Sequence, residues 1–217
     1  MKIHLCFHGV GTCREEREPG ESRYWMRESV FLGLLDALAD HPHVLLSFDD
    51  GNRSDVDIAL PALMARGRTA TFFALAGRLD DPRSLSAHDL HALRANGMSI
   101  GNHGWSHVPW RGLSTADGQR EFFDARRALE DASGGAVIDA ALPLGRYDRA
   151  SLRRLKEAGY RTVYTSDRFP ARSGSWLQAR YSVTADDTVD SVMAIVRHGP
   201  GISDARNLAK SLIKRWR

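Results

Sequence analysis

Residues 43–52 read His-Val-Leu-Leu-Ser-Phe-Asp-Asp-Gly-Asn. An apolar run this short, closed by a turn glycine, is a buried strand, and it ends in two adjacent carboxylates, Asp49 and Asp50. The same grammar recurs outward in both directions. Residues 2–8, 69–75, 98–102, 136–142, 161–165 and, more weakly, 177–183 are further short strands. Amphipathic segments separate them. Val30, Leu34, Leu35 and Leu38 form one apolar stripe, and Leu90 and Leu93 lie between a Ser86-x-x-Asp89 start and a Gly97 stop. Asp148 caps a helix carrying Leu152 and Leu155 that ends at Gly159, and Pro61 requires the helix within 54–66 to begin near Leu60. Strands alternating with helices predict an α/β fold, a distorted (β/α) barrel of about seven parallel strands.

At 217 residues, 42% hydrophobic and 26% charged, the chain has the composition of an ordinary globular domain. Two cysteines, Cys6 and Cys13, are too few for a disulfide framework. The net charge of +3 sits in the tail: residues 201–217 carry five basic groups against Asp204, so residues 1–200 sum to −1. With 26 of 30 basic residues being Arg interspersed with acids, no phosphate-binding surface is legible, and a nucleic-acid partner is not expected. No run reaches the roughly 18 to 20 apolar residues needed to span a bilayer, and the N-terminus lacks a signal-peptide pattern, which predicts a cytoplasmic protein. The expected organisation is a barrel over 1–200 and a basic amphipathic helical tail over 201–217. That tail either docks on the body or meets an anionic membrane surface or partner. The sequence assigns no oligomeric state.

Paired carboxylates leaving a buried strand repel each other and resist desolvation, so they call for a cation, a hydrogen-bond network or a proton-transfer task. The alternative is an Asp-Gly turn in which one carboxylate only caps. A second constellation, Gly101-Asn-His-Gly-Trp-Ser-His107, follows the strand at 98–102. His103 and His107 lie four apart and can meet one metal, or form a solvated pair in a turn. One carboxylate added to them makes a two-His, one-carboxylate set with open positions, and both segments would open on the same barrel rim. Such a set suits hydrolysis or a non-haem iron oxygenase. The spare aspartate favours hydrolysis, because a water attacking a carbonyl needs a base beside it.

These residues resemble the polysaccharide deacetylases of the NodB-homology, carbohydrate esterase family 4 type. The likeness begins at Ser47-Phe48-Asp49-Asp50-Gly51 and continues through Ala70-Thr71-Phe72-Phe73, Gly97 to Asn102 and the His103 to His107 pair. It then reaches Leu142-Pro143-Leu144-Gly145-Arg146-Tyr147-Asp148 and Glu157-Ala158-Gly159-Tyr160. The resemblance implies a deacetylase-type barrel removing N- or O-linked acetyl groups from an acetylated carbohydrate. It makes Asp49 the general base and Asp50, His103 and His107 the ligands of a divalent metal, zinc first, with cobalt or nickel able to occupy the same site. It also assigns the backbone N–H of Leu144 to the oxyanion.

Three departures from the family pattern stand out. The arginine that pairs with the catalytic Asp is replaced by Ala141, and Arg180 is the candidate by position to orient Asp49 in its stead. Leu144 stands where an aromatic is usual. The late Leu-x-His motif is missing, and His198 reads as a helix-end residue. Cys6-Phe7-His8-Gly9-Val10 resembles the Tyr-His-x-Val start of permuted members, which makes His8 the general acid. Trp105, Trp110, Pro143 and Arg180 complete the expected substrate side, beside a polar rim loop from Gly9 to Glu21. Cys6 is expected in the core, with neither cysteine in a redox role. The competing reading is a carbohydrate-binding protein impaired in catalysis, suggested by Ala141.

Overall fold

The computed structural model describes residues 1–197 and 201–216; His198 and Arg217 lie outside the described residues. The strands are β1 (Ile3–Phe7), β2 (Gly9–Val10), β3 (Trp25–Met26), β4 (Val44–Asp49), β5 (Ala70–Ala74), β6 (Ser99–Asn102), β7 (Asp139–Ala141), β8 (Thr162–Thr165), β9 (Leu177–Ala179) and β10 (Tyr181–Ser182). The helices are α1 (Glu28–Ala37), α2 (Leu60–Met64), α3 (Ala87–Ala95), α4 (Thr115–Gln119), α5 (Ala125–Ser133), α6 (Arg149–Glu157), α7 (Val189–Arg197) and α8 (Ile202–Trp216). Eight strands form one parallel sheet in the order β10-β1-β4-β5-β6-β7-β8-β9, while β2 and β3 pair separately.

The seven expected strands are present, and the eighth arises from the weakest of them. Segment 177–183 divides at Arg180: Leu177–Ala179 pairs with β8, and Tyr181–Ser182 pairs with β1. One short stretch of chain thus belongs to both edges and curls the sheet into a nearly closed barrel. Helix ends follow the local chemistry. Reciprocal capping boxes start α3 at Ser86/Asp89 and α6 at Asp148/Ser151, and α2 begins at Leu60 with Pro61 in its first turn, after a π-helical turn over Asp55–Ala59.

Alternation along each strand sorts the two faces. Ile3, Leu5 and Phe7 of β1 and Val44, Leu46 and Phe48 of β4 enter the main core beneath the helices, where Phe48 stacks on Phe72 at 4.8 Å and Phe31 meets it edge-on. His4, Ser47, Asp49, Gln178 and Arg180 are buried polar groups of the opposite set. A second core around Trp110, Phe122, Tyr147, Leu155 and Tyr160 lies beneath α6. Parallel pairing sends every strand's C-terminal end to one rim, which gathers the segments after β1, β4, β6, β7 and β8.

Helix α8 docks on that body. Its inward residues are polar: Asp204 accepts from the Tyr181 hydroxyl at 2.7 Å, Asn207 donates to the Arg168 carbonyl at 3.0 Å, and Ser211 is buried against the Tyr147 hydroxyl at 2.9 Å. Lys214 donates to Asp167 at 2.6 Å and to the carbonyl of Gly145 at 3.1 Å. No helix among the described residues is long and apolar enough to cross a membrane.

Candidate active site

The end of β4 delivers both carboxylates. Asp49 is the last strand residue and is 3% exposed; Asp50 follows in the left-handed region, at φ 74°, and turns away from its neighbour. After β6, His103 donates from Nδ1–H to the carbonyl of Ala141 at 3.0 Å, which turns its Nε2 toward the carboxylates. Gly104, at φ 95°, carries the chain past Glu121, whose Oε2 would clash with any Cβ at that position. His107 returns at φ 56°. Its Nδ1–H donates to Glu18 at 2.7 Å, and Glu18 is itself paired with Arg78.

The outcome is a convergence of bare acceptors. Asp50 Oδ1 lies 3.4 Å from His103 Nε2 and 3.2 Å from His107 Nε2, and it is buried with no hydrogen-bond partner. With both Nδ1 protons committed elsewhere, three lone pairs point at one space, which is stable only around a cation or a shared proton. Two imidazoles and a carboxylate with open positions fit a divalent ion of N/O preference. Burial alone would raise the Asp50 pKa; a proton or positive charge shared with His103 and His107 holds it far below the ordinary carboxylate value.

Asp49 is held differently. Arg180, 1% exposed, donates from two guanidinium nitrogens to its two oxygens, each at 2.6 Å, and from Nη1 to Ser47 Oγ at 3.0 Å. The guanidinium also lies over Phe73 at 5.2 Å and Tyr164 at 5.7 Å. Burial pushes the Asp49 carboxyl up, and the Arg180 charge more than offsets it, so Asp49 stays ionised. Arg180 is therefore spent on Asp49, and its place on the expected substrate side is corrected to a positioning role.

His8 reaches the same space from the end of β1. It lines a cavity of about 310 Å³ together with Asp49, Asp50, His103, His107, Leu144 and Arg180. Its ring packs on Tyr24 at 4.8 Å, and its Nδ1 is buried without a partner. Burial lowers its pKa against the pull of Asp50 and Asp49. Leu144 projects into the opening, 52% exposed at φ 55°. Among the described residues four non-glycine positions are left-handed, and Asp50, His107 and Leu144 are three of them; such backbone costs about 1–3 kcal/mol each and collects where function holds it in place. Cys6, buried as expected, lies directly beneath, its Sγ within 4.8 Å of a His8 nitrogen and an Asp49 oxygen.

Three expected substrate contacts are corrected. Trp110 is fully buried, edge-on to Phe122 at 4.9 Å, and cannot stack on a ligand. Trp105 is half-buried against the core with Arg120 over its ring at 5.0 Å, and it does not line the cavity. Pro143 is buried under its turn. The exposed apolar surface at the mouth comes from Leu144 and Tyr24 instead.

Two residues were not foreseen. Glu18 sits within the charged run Arg14-Glu-Glu-Arg-Glu18, whose composition reads as a solvated loop, and only its place beside the cavity marks it. Glu121, 2% exposed, accepts from the N–H groups of Trp105 and Ser106 at 2.8 and 3.1 Å and fixes the loop between the histidines.

A sequence profile described as polysaccharide deacetylase matches residues 38–163. The chain is 25% identical over 141 residues to YxkH of Bacillus subtilis (strain 168), a presumed polysaccharide deacetylase, a match covering 65% of this chain and half the length of that one. Among solved structures it resembles the Streptococcus pyogenes deacetylase PplD in complex with acetate, with TM-score 0.79 and 18% identity over 91% of this chain and 98% of that one. It likewise resembles BC0361, a polysaccharide deacetylase from Bacillus cereus, with TM-score 0.77 and 16% identity over 90% of this chain and 68% of that one.

Proposed function

The chain belongs to the polysaccharide deacetylase family, and on that footing we propose that it hydrolyses N- or O-linked acetyl groups on a carbohydrate. The observation that carries the reading is the division of labour between adjacent aspartates: Asp50 faces the two histidines, while Asp49 is locked ionised by Arg180. Asp50, His103 and His107 would hold a divalent metal, zinc first, with cobalt or nickel fitting the same donors. When bound, that cation would acidify a water and polarise the acetyl carbonyl.

The chain's own groups supply the rest. Asp49 takes the proton of the attacking water as the new C–O bond forms. The N–H of Leu144, held at the mouth by its left-handed turn, donates to the developing oxyanion. The C–N or C–O bond to the sugar then breaks, and His8 passes a proton to the leaving nitrogen or oxygen. Acetate and the free amine or hydroxyl depart. Burial lowers the His8 pKa and so works against the protonated form this step requires, while the neighbouring Asp50 and Asp49 carboxylates favour it.

The competing reading, a sugar-binding protein without catalysis, drew on Ala141. Arg180 supplies the missing guanidinium from the break between β9 and β10, which removes that motive. Metal analysis of the purified protein, combined with acetate release from a panel of N- and O-acetylated sugars, tests the proposal. Wild type should release acetate, and Asp49→Asn should keep metal while losing release by about 10²–10⁴-fold. A wild type that binds acetylated sugar yet releases no acetate at any metal loading would overturn it.

A further inference from the structure

Helix α8 is inside out. The residues that face the body, Asp204, Asn207, Ser211, Lys214 and Arg215, are polar and buried or half-buried. Spaced three and four apart on the other side, Ile202, Ala205, Ala209, Leu212, Ile213 and Trp216 are all exposed. The exposures are large, 77% for Ile202, 54% for Ile213 and 78% for Trp216. A helix that packs through hydrogen bonds and leaves its apolar stripe in water reverses the usual arrangement, and a contiguous exposed apolar strip marks an interaction surface.

The stripe is flanked by cations. Arg206 and Lys210 border it on one side, both exposed. On the other side Arg215 and Leu208 line a cleft of about 830 Å³, shared with α6 and distinct from the catalytic cavity. Arg149, Arg153, Lys156 and Arg172 line this cleft together with Phe169 and Trp176, and among the described residues no acidic side chain lines it. Arg153 alone of these four has an ion-pair partner among the described residues, Glu157 at 3.5 Å on the exposed surface.

We propose that the outward face of α8, with the basic cleft on its flank, docks the protein on an anionic lipid bilayer. An apolar strip with cations along both margins and a tryptophan near its end is the pattern of a helix lying in the plane of a membrane interface. A second copy fits poorly. Fifteen residues of helix present a strip about 22 Å long and about 10 Å wide, some 200 Å², against the roughly 800 Å² per partner of a stable protein interface. Apposed copies would also bring basic margin against basic margin. Lys214 ties this same helix to Gly145, next to Leu144, so the docking surface is one side chain away from the rim of the catalytic cavity.

Sedimentation with vesicles tests this on the whole chain, with no turnover needed. The protein should pellet at low salt with vesicles of phosphatidylcholine and phosphatidylglycerol in equal parts, stay in solution with phosphatidylcholine alone, and be released by salt. Reversing Arg206 and Lys210 to Glu should weaken partitioning by about fivefold or more per position. Leu212→Ser, Ile213→Ser and Trp216→Ser combined should abolish it, with circular dichroism and acetate release from a soluble sugar unchanged. No partitioning into anionic vesicles, or partitioning indifferent to both sets of changes, would overturn the proposal. So would a stable dimer in sedimentation velocity that Ile213→Glu dissociates, because the stripe would then be covered by a second copy.

Discussion

Arg180 holds Asp49 with two 2.6 Å hydrogen bonds from 131 residues further along the chain, across the interior of the barrel. The guanidinium sits at the point where the strand segment leaves β8 and joins β1, so the residue that closes the sheet also orients the base. Because the pair is buried and bidentate, Arg180 cannot be replaced by a point charge of the same sign.

Arg180→Lys should therefore lower kcat by about a hundredfold with KM and metal content little changed. The Asp49 carboxyl, no longer gripped, should titrate at higher pH, moving the acid side of the pH–rate profile upward. An unchanged profile together with wild-type kcat would show that Asp49 needs no such partner.

Glu18 orients His107 through Nδ1. Glu18→Gln should weaken metal affinity by about 10–100-fold, measured by competition with a chromogenic chelator, while kcat at saturating metal stays close to wild type. Equal affinity in the two proteins would make Glu18 a surface partner of Arg78 only.

Leu144 contributes its backbone N–H from a left-handed turn. Leu144→Gly should keep acetate release and raise stability by about 0.5–1 kcal/mol in urea unfolding, because the strain of a Cβ there is about 1–2 kcal/mol and glycine's added chain freedom returns part of it. Leu144→Val, β-branched, should instead lose stability. The opposite order would mean that the side chain, not the turn, is what the position requires.

His4 is buried within the barrel, its Nε2 3.2 Å from Gln178 Oε1, and burial lowers its pKa to about 4. Between pH 6.5 and 4 the unfolded chain binds a proton there that the folded chain does not. Stability from this site should thus fall as pH drops through that window, by up to about 3 kcal/mol. His4→Gln should flatten the stability–pH curve between those values; an unaltered slope would place the titration elsewhere.

Legibility tracked chain distance. Asp49 and Asp50 are adjacent, and His103 and His107 are four apart, so their shared purpose is written in local patterns that resemble a known family. Glu18 lies 89 residues from His107 inside a run of mixed charge, and nothing local separates it from Glu15 or Glu16. Trp110 failed as a sugar platform for the same reason: indole beside a site reads alike whether it faces a ligand or Phe122.

From its residues alone the chain specified alternating short strands and helices, one rim for the strand ends, and the carboxylate and imidazole groups on it, because hydrophobic period, caps and strand-end motifs are local properties. Which guanidinium reaches Asp49, which carboxylate steadies His107, and which face of α8 turns inward were decided only by the closed sheet and its packing. Hydrogen bonds between distant segments outrank local periodicity there: Tyr147, Tyr181 and Asp167 offer α8 polar partners and leave its apolar stripe in solvent.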